Sequence, residues 1–77
     1  MAFKELDTVV LKRDMPDLGL RRGDLGAVVH VYGADGLEVE FVTAAGRTEA
    51  LVSLSADDVR GIAETDLVSV RSLRKSA

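Results

Sequence analysis

The stretch from Leu18 to Thr43 (LGLRRGDLGAVVHVYGADGLEVEFVT) constrains the fold more than any other part of the chain. It contains two runs of strand-forming residues separated by the Gly-Ala-Asp-Gly segment at 33–36, a combination typical of a short β-hairpin. In the second run Leu37, Val39 and Phe41 would lie on one face, because side chains alternate along a strand. The pattern therefore predicts a hairpin at the centre of the fold.

The first run of this hairpin, Leu25 to Tyr32, does not alternate regularly. Val28, Val29 and Val31 cannot all lie on one face of a regular strand. Either both faces of the strand are covered, or a β-bulge shifts the register. Gly26 is a suitable position for such a bulge.

Three further strands are predicted, one before the hairpin at Asp7–Arg13 and two after it at Thr48–Leu54 and Asp66–Leu73. A single helical turn of 3₁₀ type is predicted at Ser55–Val59, because Ser55 can cap it and acidic residues follow in its first turn. Gly61 would end that turn almost at once.

These elements predict an all-β fold, a small five-stranded SH3-like barrel with one short 3₁₀ turn before the last strand. Residues 1–77 would form a single domain with a frayed basic tail at 74–77. An OB-fold is the alternative, but the turn at 44–47 leaves no room for the helix that fold places between its third and fourth strands.

Composition excludes several kinds of site. The chain has 77 residues, no cysteine and one histidine, His30, so it can form neither a disulfide nor a thiolate metal site, and we expect no cofactor. The net charge of −3 argues against general nucleic-acid binding. No apolar run is long enough to span a membrane and the N-terminus is not a signal peptide. We expect a cytoplasmic protein.

An ordered set of residues extends over most of the chain: Asp7-Thr8-Val9-Val10-Leu11, Gly19-Leu20, Gly23-Asp24-Leu25-Gly26, Val31-Tyr32, Val39-Glu40-Phe41-Val42, Ala50-Leu51-Val52 and Asp58-Val59-Arg60. In these residues the chain resembles the bacterial domain-of-unknown-function 4926 family over about residues 5 to 62. The resemblance implies an SH3-like barrel without an established activity. Some members of the family are encoded beside other small proteins of unknown function, so the resemblance also implies a paired role.

The spacing of Gly23-Asp24, Gly26, Val28 and Val31 loosely resembles the KOW motif of transcription and ribosome-associated proteins. KOW domains are SH3-like barrels that bind RNA or protein, so the resemblance implies a similar role. The chain departs from the motif in charge, because Glu38 and Glu40 occupy a strand where an RNA reader needs basic or aromatic residues.

The long loop between the first two strands carries most of the candidate binding residues. Its apolar residues, together with two ring side chains on one face of the second strand, are predicted to line a shallow groove for a peptide. Its cations would form a local positive patch, or would pair with Asp14, Asp17 or Asp24 in a solvated loop. The groove residues are Met15, Leu18, Leu20, His30 and Tyr32, and the cations are Arg21 and Arg22 with Lys12 and Arg13.

The predicted last strand is the second candidate surface. Leu67, Val68 and Val70 place apolar side chains on both faces of it, which predicts self-association or partner binding through residues 66 to 73. Asp57 and Asp58 are interpreted as first-turn acids of the 3₁₀ turn. The alternative, a catalytic or metal-binding carboxylate pair, would need further oxygen ligands that nothing nearby supplies.

We therefore expect a non-catalytic protein-binding module, a small accessory or antitoxin-like partner of a second protein, with no small-molecule substrate. The alternative is a KOW-like module that binds RNA or the ribosome. Its phosphate contacts would come from Arg21, Arg22, Arg71, Arg74 and Lys75. The sequence contains no recognisable catalytic motif, so an enzyme is not expected.

Overall fold

The structure, a computed structural model, describes residues 3–73. It is all-β, with five antiparallel strands in one sheet of order β4-β3-β2-β1-β5. The strands are β1 (Thr8–Leu11), β2 (Leu25–Tyr32), β3 (Gly36–Val42), β4 (Thr48–Ser55) and β5 (Val59–Gly61). Two 3₁₀ turns, at Pro16–Leu18 and Ala56–Asp58, interrupt the connections between them. The predicted basic tail at 74–77 lies outside the described residues.

The central hairpin is confirmed. β2 and β3 pair antiparallel, and Leu37, Val39 and Phe41 of β3 are buried while the residues between them are less so. One face of the sheet, the inner face, therefore carries the core. The core residues are Val9, Leu11, Leu20, Val28, Leu37, Val39, Phe41, Val52, Leu54 and Val59.

The β-bulge in β2 lies at Val29, so its predicted position at Gly26 is wrong. Val28 pairs with Val39 and His30 with Glu38, which leaves Val29 without a partner. The extra residue shifts the alternation, so that Val28 is fully buried and Val31 packs against the core, while Val29 is 37% exposed. The three valines thus have different environments because one of them is looped out of the ladder.

A glycine is needed at position 26 for a different reason, the close packing of β2 against β3. A Cβ atom at this position would lie 2.5 Å from Cγ1 of Val39 and 3.0 Å from Cε1 of Phe41. The backbone of β2 therefore approaches the side chains of β3 more closely than any larger residue allows. Gly26 is required for packing between the two central strands.

The fifth strand is not at the predicted position. β5 follows the second 3₁₀ turn directly and pairs with β1, with Leu11 opposite Val59 and Val9 opposite Gly61. The predicted strand at Asp66–Leu73 is wrong, because none of these residues is in a strand. β5 already occupies the edge of β1 at which the predicted strand would have paired. With three residues, β5 is too short to show a strand pattern in the sequence.

The 3₁₀ turn before β5 is confirmed, and so is the interpretation of its acidic residues. Ser55 Oγ accepts a hydrogen bond from the Asp57 amide, and the Asp58 carboxylate accepts one from the Ser55 amide, which forms a capping box. The turn connects the two edge strands, β4 and β5. The sheet itself is open, because these two edges are not hydrogen-bonded to each other.

Gly26→Ala should destabilise the protein by about 1–3 kcal/mol, because the added methyl group overlaps the side chains of Val39 and Phe41. Gly61→Ala is the matched control, since a Cβ atom there meets nothing within 4 Å and Gly61 also lies in a strand. Urea unfolding of the two variants measures the difference in the free energy of unfolding. Equal stability of the two variants would contradict the packing role of Gly26.

Candidate interaction surface

Residues 62–73, here called the strap, run along the outer face of the sheet. Val10 is only 6% exposed although it lies outside the inner core, so something covers it on the outer face. Val10 pairs with Leu25 across β1 and β2. Both border a groove of about 190 Å³ whose other wall is the strap, with Ile62, Leu67, Val68 and Ser69. The strap therefore covers one end of the outer face.

A larger groove, of about 510 Å³, lies between the end of the strap and the β2–β3 region. Its sheet side includes Leu25 and Val42, which are 38% and 46% exposed. Ala27 pairs with Glu40, and the same register places Leu25 opposite Val42, both on the outer face. The strap contributes Ser69, Val70, Arg71 and Leu73. The groove thus has apolar residues on both sides, and Arg22, Asp24, Glu49 and Arg71 also line it.

The strap is fixed to the body by two arginine–carboxylate pairs. At its start, Arg60 donates two hydrogen bonds to Asp66, at 2.8 and 3.0 Å, and the Ala63 amide donates a third to the same carboxylate, at 2.7 Å. Near its end, Arg71 donates to both carboxylate oxygens of Asp24, at 2.8 and 2.6 Å. The strap is therefore held at two points by bidentate contacts, which are stronger than single ones.

The second of these anchors closes a large loop in the chain. Arg71 also donates to the carbonyl oxygen of Gly19, at 2.9 Å, so one guanidinium bridges both ends of the segment 19–24. Asp24 in turn accepts a hydrogen bond from the Arg21 amide, at 2.8 Å. The anchor thus fixes the strap and orders the first loop at the same time. Nothing in the sequence pattern indicated that Arg71 and Asp24 are in contact.

The pKa of the Asp24 carboxyl is lowered from its usual value of 3.8, chiefly by the hydrogen bond from Arg71 and further by the amide of Arg21, against the opposing effect of burial. The pKa of the Asp66 carboxyl is lowered as well, chiefly by Arg60. A lowered pKa means that the folded state favours the charged form. Each anchor therefore contributes above the unfolded-state pKa of its carboxyl and is lost as the pH falls through the lower folded-state pKa.

The apolar side chains of the strap face the solvent despite these anchors. Leu67 is 92% exposed, Val68 63% and Val70 97%. The arginines hold the backbone, and the branched side chains between them bury little of their own surface. The structure therefore presents the three strap residues that the sequence singled out on a fixed but irregular segment, in place of the predicted strand.

The apolar candidates in the first loop lie in different environments. Leu20 is 3% exposed and belongs to the core, and Met15 forms an isolated bridge with it and packs against the core. Leu18, at the end of the 3₁₀ turn, is 42% exposed and precedes Gly19, the residue that Arg71 contacts. Of these three, only Leu18 presents a large apolar surface to the solvent.

The cations of the first loop are held through their backbones. The Arg21 amide donates to Asp24 and the Arg22 amide donates to Asp14, both at 2.8 Å, and both side chains remain exposed. Arg13 pairs with Asp58 at 2.9 Å, and this pair lowers the pKa of the Asp58 carboxyl. The acids of the loop therefore order its backbone, and they do not form side-chain pairs with Arg21 and Arg22.

His30 and Tyr32 are in contact on one face of β2, as the spacing predicted, with ring centroids 4.4 Å apart in an edge-on arrangement. The Tyr32 hydroxyl donates to Glu38 at 3.1 Å, which raises the pKa of Tyr32. Neither residue borders either of the two grooves. The predicted combination of these rings with Met15 and Leu18 is not found in those grooves.

Within residues 3–73, no group of three or more acidic, histidine or cysteine side chains could hold a metal ion. No helix in this part of the chain has the length and apolar character that a membrane crossing needs.

Comparison with protein-family models matches residues 5–61 to the family described as a domain of unknown function (DUF4926). The chain belongs to the DUF4926 family. Searches of curated proteins and of solved structures gave no match. The match to the DUF4926 model ends at Gly61, the last residue of β5, so it covers the sheet and leaves out the strap.

Arg71→Gln should raise the pKa of the Asp24 carboxyl toward 3.8, because the largest cause of its lowering is removed. In the wild type the strap should detach only as the pH falls below 3.8 and through the lowered folded-state pKa of Asp24. NMR titration of the carboxyl carbon measures both effects, and Asp66, held by Arg60, is the internal control. An unchanged Asp24 midpoint in the variant would contradict the anchor.

Proposed function

We propose that this DUF4926 protein is a non-catalytic protein-binding module, a small accessory or antitoxin-like partner of a second protein, and that the strap is its contact surface. The observation that carries the proposal is that Leu67 and Val70 are 92% and 97% exposed on a segment held by two bidentate ion pairs. Leu67, Val68 and Val70 lie within one four-residue segment, and a cluster of exposed apolar side chains is typical of an interaction site.

The anchors support this role because they reduce the entropy that binding would cost. A partner that packs on a free tail has to order its backbone, whereas a strap fixed at Asp66 and Arg71 is already ordered on both sides of its apolar residues. The groove of about 510 Å³ beside Val70 supplies a concave surface for a partner side chain. The proposed contact is therefore the strap together with this groove.

We also infer an SH3-like barrel as the finer description of the fold. The strand order β4-β3-β2-β1-β5 and the 3₁₀ turn between β4 and β5 support it, although the sheet is open. Such barrels bind peptides and proteins beside their long first loop. The strap meets that loop at Gly19 and Asp24. The proposed setting is the cytoplasm of a bacterial cell, with no cofactor.

RNA binding is less well supported. Among the cations proposed for phosphate contacts, Arg71 is already paired with Asp24, while Arg21 and Arg22 are exposed at one end of the body. Arg74 and Lys75 lie outside the described residues. A phosphate contact through the paired nitrogens of Arg71 would require it to leave Asp24, and the net charge of −3 opposes the approach of RNA.

The experiment is affinity capture from cells of the source organism, followed by calorimetry with the purified partner. The double variant Leu67→Ser/Val70→Ser should weaken binding at least tenfold without changing stability, because both side chains are almost fully exposed. Leu6→Asn is the matched control, since Leu6 is 86% exposed elsewhere on the surface.

Nuclease treatment and a salt series separate the two functions. The proposal is supported if a protein partner is still captured after nuclease treatment, and if its affinity falls with the double variant and not with Leu6→Asn. Recovery of RNA with a steep dependence on salt, or equal partner affinity of the double variant and the wild type, would contradict it.

A further inference from the structure

The free edge of β4 is the longest unpaired strand edge in the described sheet. β4 has eight residues and pairs only with β3, because it lies at the end of the strand order. Its other side carries backbone N–H and C=O groups that point away from the sheet. Such an edge is a template for another strand.

The opposite edge of the sheet is protected, whereas β4 is not. β5 has three residues, carries Arg60 and continues into the anchored strap, and short length, charge and coverage each prevent further pairing. β4 has neither proline nor lysine. Its only protective features lie at its start, where a register shift leaves Glu49 without a partner on β3. The segment Ala50–Leu54 is regular and uncharged.

We propose that Ala50–Leu54 of β4 pairs antiparallel with the same segment of a second copy of this chain, about a two-fold axis at Val52. The two five-stranded sheets would then form one continuous sheet. A two-fold axis is the expected symmetry for a strand that pairs with itself.

This register follows from side-chain size and face. Residues opposite each other in an antiparallel pair share a face, so Ala50 would lie opposite Leu54 on the inner face, and Leu51 opposite Ser53 on the outer face. On each face a small residue meets a large one. Leu51, 56% exposed in the single copy, would be partly covered by the second copy.

Charge does not oppose this register of self-pairing. With the axis at Val52, Glu49 lies opposite Ser55 of the other copy, so no like charges are directly opposite each other. An axis at Ala50 would instead place Leu51 opposite Glu49, which leaves the carboxylate beside an apolar side chain. The strap anchors are on β5 and the first loop, and the groove beside the strap reaches β4 only at Glu49, outside the pairing segment Ala50–Leu54. The proposal does not depend on the proposed function.

Sedimentation of the full chain from micromolar to millimolar concentration tests the pairing. The wild type should form a dimer of twice 8.2 kDa, and Leu51→Lys should raise the dimer dissociation constant at least tenfold. Leu67→Lys is the matched control and should leave the dimer unchanged, since Leu67 lies on the strap. A wild type that remains monomeric throughout, or a dimer lost with Leu67→Lys and kept with Leu51→Lys, would overturn the proposal.

Oxidative crosslinking tests the register and does not depend on a disruptive variant. The chain has no cysteine, so single cysteines can be introduced without background. A mixture of the Leu51→Cys and Ser53→Cys variants should form the mixed disulfide, because directly opposite residues have Cα atoms about 4.5–5.5 Å apart. Faster crosslinking of Leu51→Cys with itself, or no crosslink in the mixture, would overturn the proposal.

Discussion

The ion pair between Arg71 and Asp24 is the contact on which the proposed contact surface depends. It joins residues 47 positions apart in the chain, with the guanidinium and the carboxylate in bidentate contact. Its donor also reaches the Gly19 carbonyl, so the strap and the first loop are held by one side chain. Because the strap contributes no strand, its position relies on this pair, on Arg60–Asp66 and on the cover it gives to Val10. The exposed apolar residues keep their place only while these contacts hold.

The other ion pairs also join separate segments of the chain. Arg13 pairs with Asp58 of the 3₁₀ turn, so each of the three ion pairs found within residues 3–73 links one segment to another. Partly exposed pairs of this kind contribute modest stability, but bidentate geometry makes them specific. The arginines thus organise irregular segments around a small apolar core. This use of charge is consistent with the proposed apolar contact with another protein.

The sequence predicted the regular part of this fold and missed the irregular part. The alternation of Leu37, Val39 and Phe41, and the capping residues at Ser55 and Asp58, are local patterns, so the hairpin and the 3₁₀ turn were found. β5 was missed because three residues carry no periodicity, and its place on β1 is decided by tertiary pairing. The sequence pointed to Gly26 for the bulge because glycine is common both at β-bulges and where a backbone packs closely against side chains. Only the tertiary packing shows which of the two roles Gly26 has. The Arg71–Asp24 pair had no local signal at all.

Transferred cross-saturation NMR of the methyl groups, in a complex with the captured partner, would locate the contact surface. Leu67, Val68 and Val70 should lose the most signal when the partner is irradiated, with Leu73 and Leu18 next. Saturation confined to the region of Val29 and Val31, next to His30 and Tyr32, with none on the strap, would contradict it.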